Sequence, residues 1–301
     1  MPDEYCEWTV VVNIVDDGSP HPADKEIVGI DFGAQTSLKV FVQPNAGVSA
    51  ARNAGLDRVS EHAELIAYLD SDDVWPHGHL ACGIKAYESG YDFYFCDNFR
   101  LGHYESYFER SSTTCDLINS APSMPEDDNV DVPTGLLHVL ILKDFTTHIS
   151  TVIHAAAIAT GIRFTERLHY SGEDVFYFTK IAVHSNKACF NPKKQVSCGS
   201  GVNIFYGSLN WDHSRFLRIK RDQVITYSLI NKIDSLSDVA KAACRFELKY
   251  YRTDFVFHLV RRVYRKREKV PKEFFELIRF DPRLFFWFPR TLLRVLIYTD
   301  V

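Results

Sequence analysis

Short apolar runs that stop abruptly in turn residues mark the first two thirds of the chain, and apolar residues at helical spacing mark the rest. Trp8 to Val15 is apolar and β-branched, a strand by composition, and it stops at Asp16-Asp17-Gly18-Ser19-Pro20. Leu38 to Val42 is a short strand that leads into the turn Gln43 to Gly47. Ser49 stands as the N-cap of a helix favoured by Ala50, Ala51, Ala54 and Leu56. Leu65 to Leu69 is a continuous apolar run, which suits a strand buried on both faces of a parallel sheet, and it ends in Asp70, Asp72 and Asp73. Further along, the pattern predicts a helix over 78–89, a strand over 92–96, a helical or extended stretch over 136–142, a strand over 151–153 and a helix over 154–161. Glu173 and Asp174 open an amphipathic helix with Ser171 as its N-cap. Residues 98–135 and 191–210 read as irregular, with Gly199 to Asn203 a flexible segment suited to covering a site. From Trp211 onward, 214–232 and 239–269 carry apolar residues at helical spacing. Strands alternating with helices predict an α/β fold over 1–210, and 211–301 forms a helical extension.

Composition adds a division of charge. The net charge is -5 over 301 residues, but residues 211–301 hold 20 Lys+Arg against 11 Asp+Glu, a balance of +9. The first 210 residues hold the other 14 basic and 28 acidic residues, or -14. An acidic part is thus joined to a basic, aromatic-rich one that includes Arg261 to Arg267 and Phe285 to Phe288. Bases beside aromatics suit an anionic membrane surface or a helical unit packing on its neighbour. No nucleic-acid module is recognisable, which argues against a nucleic-acid partner. The seven cysteines are scattered with no Cys-x-x-Cys pair, against a disulfide framework and for a reduced, cytoplasmic compartment. No stretch is long and apolar enough for a membrane span. There is neither a G-x-x-x-x-G-K nor a G-x-G-x-x-G pattern, against kinase, ATPase and dehydrogenase classes.

The candidate chemistry lies where strands end. Open α/β sheets bind ligands beyond the carboxyl ends of their strands, and two strands here end in acids, at Asp16-Asp17 and at Asp70 to Asp73. Clustered carboxylates repel unless a cation screens them, and hard oxygen ligands favour Mg2+ or Mn2+. The helix that starts near Ser49 offers free N–H groups to an anion, with Arg52 in its first turn. Glu173 and Asp174 supply a second acid set, either as first-turn acids favoured by the dipole or as a general base.

Four segments in register, VNIVDDGSP (12–20), QPNAGVSAARNAGL (43–56), LIAYLDSDDVW (65–75) and YSGEDVFYF (170–178), resemble the family 2 glycosyltransferases. The resemblance covers roughly residues 8–205 and implies the GT-A fold, a Rossmann-like, mostly parallel sheet flanked by helices. It implies an inverting, metal-dependent transferase that moves a sugar from a nucleotide-sugar donor, a UDP-sugar first among them, to a saccharide or lipid-linked acceptor in surface polysaccharide synthesis. By the same resemblance Asp16 and Asp17 face the nucleotide base and Arg52 faces the nucleotide. Asp70 contacts the nucleotide side, and Asp72 reaches a Mn2+ or Mg2+ ion that bridges the diphosphate. Asp174 is the general base, with Glu173 beside it. Asp73 is left as a cap for the following turn. The family usually begins with another strand and helix, whereas only Met1 to Glu7 precede Trp8 here, so the expected nucleotide pocket lacks its first strand. That departure keeps two other classes in view: a catalytically impaired nucleotide-sugar-binding relative, and a membrane-surface scaffold built on 211–301.

Overall fold

The computed structural model describes residues 7–100, 106–121, 129–199, 208 and 210–289, without the side chains of Arg100 and Trp287. The Ser200 to Asn203 part of the expected flexible segment and the end of the aromatic tail lie outside the described residues. Strand β1 (Val10–Asp16), helix α1 (Ala23–Glu26), strand β2 (Thr36–Val42) and helix α2 (Val48–Leu56) come first. Then follow β3 (Leu65–Ala67), α3 (His79–Glu88), β4 (Phe93–Arg100), α4 (Ser112–Ser120), β5 (Val130–Val132) and α5 (Leu136–Val139). The α/β part ends with β6 (Ile153–Ala155), α6 (Glu173–Ala182) and β7 (Ala188–Cys198), and α7 (Phe216–Ile230), α8 (Asp238–Lys266) and α9 (Lys272–Phe280) complete the chain.

Strands β1 and β2 pair in parallel as a two-stranded sheet, and the other five are ordered β3-β6-β4-β7-β5. Strand β6 runs antiparallel to both β3 and β4, and β4 is parallel to β7, so β3, β4 and β7 point the same way. That common direction brings the carboxyl ends of β3 and β7 to one edge of the sheet. The sheet is filled on one side by Phe93, Phe95, Phe108, Phe190, Tyr177 and Phe178, all fully buried.

Several local expectations are corrected. Helices α2 and α6 begin after Gly47 and Gly172, not at Ser49 or Ser171, because both glycines have positive φ (94° and 86°) that turns the chain into the helix. His154 and Ala155 belong to β6 and only a single short turn follows, since the Leu65–Ala67 edge recruits them into the sheet. The 98–135 stretch contains α4, capped by the Ser111 hydroxyl accepting from the Thr114 N–H (3.0 Å), and β5. Residues 188–198 form a long strand with a bulge, in which Cys96 faces Asn191 and Asp97 faces Lys194. Pro192, which has no N–H to give to a ladder, sits in that bulge.

The basic region packs on the α/β part. Leu142, Leu168 and Val175 share a core with Phe216, Leu217, Tyr227, Ala240, Tyr251 and Phe255. Asp222, fully buried on α7, accepts from the His169 and Tyr170 N–H groups (both 2.9 Å) and pairs with Arg221 (2.7 Å). Helix α7 therefore holds the loop that leads into α6. Gly172 is the closest point: a Cβ there would lie 2.3 Å from Thr226 Oγ1.

Gly172→Ala is expected to lower stability by about 2 kcal/mol or more, through positive-φ strain together with overpacking against Thr226. Gly161→Ala, also at positive φ but with open space around its Cβ, is expected to lose only about 1 kcal/mol. Urea unfolding of the two variants checks the difference.

Candidate active site

Arg52, in the middle of α2, lies between two of the acid sets. Its Nη2 donates to both Asp70 carboxylate oxygens (2.8 and 3.2 Å), and its Nη1 donates to Glu173 Oε1 (3.1 Å). The guanidinium also lies 5.4 Å from the centre of the Phe164 ring. Burial disfavours its charge, but Asp70 and Glu173 outweigh that and raise its pKa, so it stays a cation. Arg52, Asp70 and Glu173, three residues singled out in the sequence, are thus brought together by one planar donor that fits two carboxylates.

Asp174 follows Glu173 and takes no part in that ion pair. Its Oδ1 accepts from the Val175 N–H (2.7 Å). Burial first, then the Glu173 charge, push its pKa up to about 7, and Arg52 only partly offsets them. A carboxylate that titrates near neutrality can take a proton at physiological pH. Asp72 is exposed and makes no hydrogen bond or ion pair among the described residues. Its carboxylate is open to a hard cation, whereas Asp70 is committed to Arg52.

Asp16 and Asp17 sit at the end of β1, as expected, but their carboxylates are engaged, Asp16 by its own loop and Asp17 by the turn after β2. Asp16 is buried and accepts from the Ser19 N–H (2.7 Å) and the Ala23 N–H (2.9 Å), which hold its pKa below the usual range. Asp17 accepts from the Ala46 and Gly47 N–H groups (both 2.8 Å) and from Gln43 Nε2 (2.7 Å). The Asp17 carboxylate thus sits just ahead of α2, on the N–H groups of Ala46 and the N-cap Gly47.

Asp73 is not a turn cap. It is buried and spans three elements: Ser150 Oγ donates to its Oδ2 (2.6 Å), and the Gly199 N–H donates to its Oδ1 (3.0 Å). Ser150 Oγ also accepts from the Asp70 N–H (3.0 Å). Val74 and Ser197 exchange both backbone bonds (2.9 and 3.1 Å). Gly199 presses on the acidic turn so closely that a Cβ would lie 1.9 Å from the Asp72 carbonyl oxygen. The bulge in β7 re-aims that strand's end onto the turn. His148, Ser150 and Cys198, which the sequence pattern did not single out, gather around Asp73, with His148 Nδ1 at 3.6 Å from Asp73 Oδ2. Burial lowers the His148 pKa despite Asp73 and Asp70, so its ring is neutral. No spacing in the sequence links positions 73, 148 and 198; only the sheet order does.

Replacing Arg52 by Met leaves Asp70, Glu173 and Asp174 without the cation between them. Arg52→Met is expected to lower stability by about 3 kcal/mol at pH 8. The loss shrinks on acidification, because protonation relieves the repulsion among the carboxylates, and denaturant melts at pH 5 and pH 8 measure it.

The chain is similar to known glycosyltransferases. The family model described as glycosyl transferase family 2 matches residues 4–139. The succinoglycan biosynthesis protein ExoW of Rhizobium meliloti is 29% identical over 286 residues, covering 91% of this chain and 85% of that protein. The minor teichoic acid biosynthesis protein GgaA of Bacillus subtilis is 36% identical over 85 residues, 28% of this chain and 17% of that protein. The crystal structure of S. aureus TarS superposes with a TM-score of 0.54 at 19% identity, a likeness of fold that covers 84% of this chain and 42% of TarS. With the four motifs in register and these relatives alongside, the chain is similar to the family 2 glycosyltransferases and has the GT-A fold.

Proposed function

We infer that this glycosyltransferase moves one sugar from a nucleotide-sugar donor, a UDP-sugar first among the candidates, to a saccharide or lipid-linked acceptor, with inversion at the anomeric carbon. The observation that carries the reading is the convergence of Asp70, from the acidic turn, and Glu173, from the start of α6, on Arg52. The curated relatives named for succinoglycan and teichoic acid biosynthesis support a role in polymer synthesis at the cell surface. No helix among the described residues is long and apolar enough to cross a membrane. Exposed Phe275, Phe285 and Phe286 beside Arg279, Arg283 and Lys272 support peripheral contact with an anionic membrane from the cytoplasmic side.

Each group then has a task. Asp174 accepts the proton of the acceptor hydroxyl as it attacks, and its raised pKa suits that step. Glu173 and Asp70, both bound by Arg52, fix the distance between the base and the donor turn. Asp72, with the weaker Asp70, would hold a Mn2+ or Mg2+ ion, and such an ion stabilises the charge of a leaving diphosphate. Asp16 and Asp17 shape the loops at the end of β1, where the base of the donor would lie. A non-catalytic donor-binding relative has no use for a carboxyl poised near neutrality at Asp174, which favours the enzyme.

Asp72→Ala is expected to reduce nucleoside-diphosphate release from a UDP-sugar by about 100-fold or more with acceptor present. Full activity in that variant removes Asp72 from the donor site. Asp174→Asn is expected to lower kcat by about 100- to 10000-fold while leaving donor KM unchanged. The same variant carries a stability signature. The folded-state pKa of Asp174 lies above its unfolded value, so the group's contribution to stability falls as pH rises from about 4 to about 7. Asp174→Asn should therefore be more stable than the wild type at pH 8, by about 1–2 kcal/mol after solvent screening, with no difference at pH 4. Thermal melts across that range check it.

A further inference from the structure

Behind the acidic turn, Asp73, His148 and Cys198 converge from three elements, and the reading of the donor site uses none of their side chains. Their ligand atoms all lie within 4.8 Å of one another. His148 Nδ1 is 3.6 Å from Asp73 Oδ2 and 3.8 Å from Cys198 Sγ. A tetrahedral cation with Zn–N and Zn–O near 2.0–2.2 Å and Zn–S near 2.3 Å keeps its ligands about 3.5 Å apart, so little movement is needed to seat one. We propose that Asp73, His148 and Cys198 form a second cation site, for a zinc-class transition metal, separate from the hard-cation position at Asp72.

The surroundings fit that role. His148 Nδ1 is unprotonated, since it accepts from the Ser150 N–H, and at 3.4 Å that bond is long enough for a metal to take its place. Asp73 keeps its bonds from Ser150 and Gly199, since each carboxylate oxygen has a second lone pair for a metal. The independent observation is Asn98. It is fully buried, and among the described residues its Nδ2 has no hydrogen-bond partner and its Oδ1 takes only a long contact from Cys198 Sγ (3.6 Å). A half-turn of that amide gives a thiolate an N–H donor, the outer support that metal-bound sulfur requires. Coordination replaces the Cys198 thiol proton with the cation, and the proton leaves to solvent. The His148 side chain, 32% exposed, provides the way in. One nitrogen and one sulfur beside a single carboxylate discriminate against Mg2+ and Mn2+, which prefer oxygen. A cation here joins the acidic turn, the 148–151 segment and the end of β7, and so stiffens the turn from behind.

Co2+ alone, added to the metal-free full chain, is the probe, because a thiolate bound to Co2+ absorbs in the near ultraviolet. One equivalent should bind with that band and raise the melting temperature, and Zn2+ should displace it. Cys198→Ser and His148→Gln should abolish the band, Asp72→Ala should keep it, and Asn98→Ala should weaken binding by about 10- to 100-fold. Absence of the band in the wild type overturns the site, and this reading needs no variant to fold. A band that survives Cys198→Ser, or one that Asp72→Ala removes, also overturns it, by assigning the cation to another cysteine or to the donor position. None of these readouts depends on transferase activity.

Discussion

The Arg52 guanidinium is the interaction on which the site depends. It has one carboxylate on the strand-end turn and another at the start of α6, so two elements about a hundred residues apart in sequence are held by one side chain. Removing it would leave three carboxylates facing one another. With it in place, Asp70 and Glu173 are neutralised, and Asp174 is the carboxyl whose burial is uncompensated. That division leaves one acid of the Glu173-Asp174 pair ion-paired and the other with its pKa raised, although the two are adjacent and chemically alike.

Behind the knot, a second layer fixes the acidic turn. Asp73 binds Ser150 and Gly199, the Ser150 hydroxyl in turn binds the Asp70 N–H, and the Val74–Ser197 bridge closes the ring. The layer exists because β7 bulges at Pro192 and swings its end under the turn. Gly199 is required there by contact with the Asp72 backbone, which leaves no room for a side chain. Asp72, by contrast, is left projecting into solvent. The helical extension contributes as well: buried Asp222 holds the His169–Tyr170 backbone, and Thr226 abuts Gly172. The basic region is therefore part of the support for Glu173 and Asp174, whatever surface its exposed aromatics meet.

Much of this was legible in the linear pattern. The β-branched run before Asp16 and helices α3, α7 and α8 follow from local composition, because apolar periodicity reports which faces must be buried. The apolar run before Asp70 does form a strand, but a three-residue edge strand, half-buried and antiparallel to β6, not one buried on both faces of a parallel sheet. The four motif segments led to the family and to Arg52, Asp70, Asp72, Glu173 and Asp174 as a group. What failed were features decided at a distance. His154 and Ala155 looked helical until the β3 edge recruited them, and 188–198 looked loose because a bulge with Pro192 disguises a strand.

The sequence by itself determined the resemblance to a family, the fold class and which acids lie at strand ends, since these depend on local pattern and motif order. The tertiary structure alone decided what each acid does. Asp17 binds the turn just ahead of α2, Asp73 is a brace instead of a turn cap, Asp70 is paired with Arg52, and Asp174 is pushed towards neutrality. Those outcomes depend on burial and on partners remote in the chain, and a carboxylate's chemistry is set by its surroundings rather than by its letter.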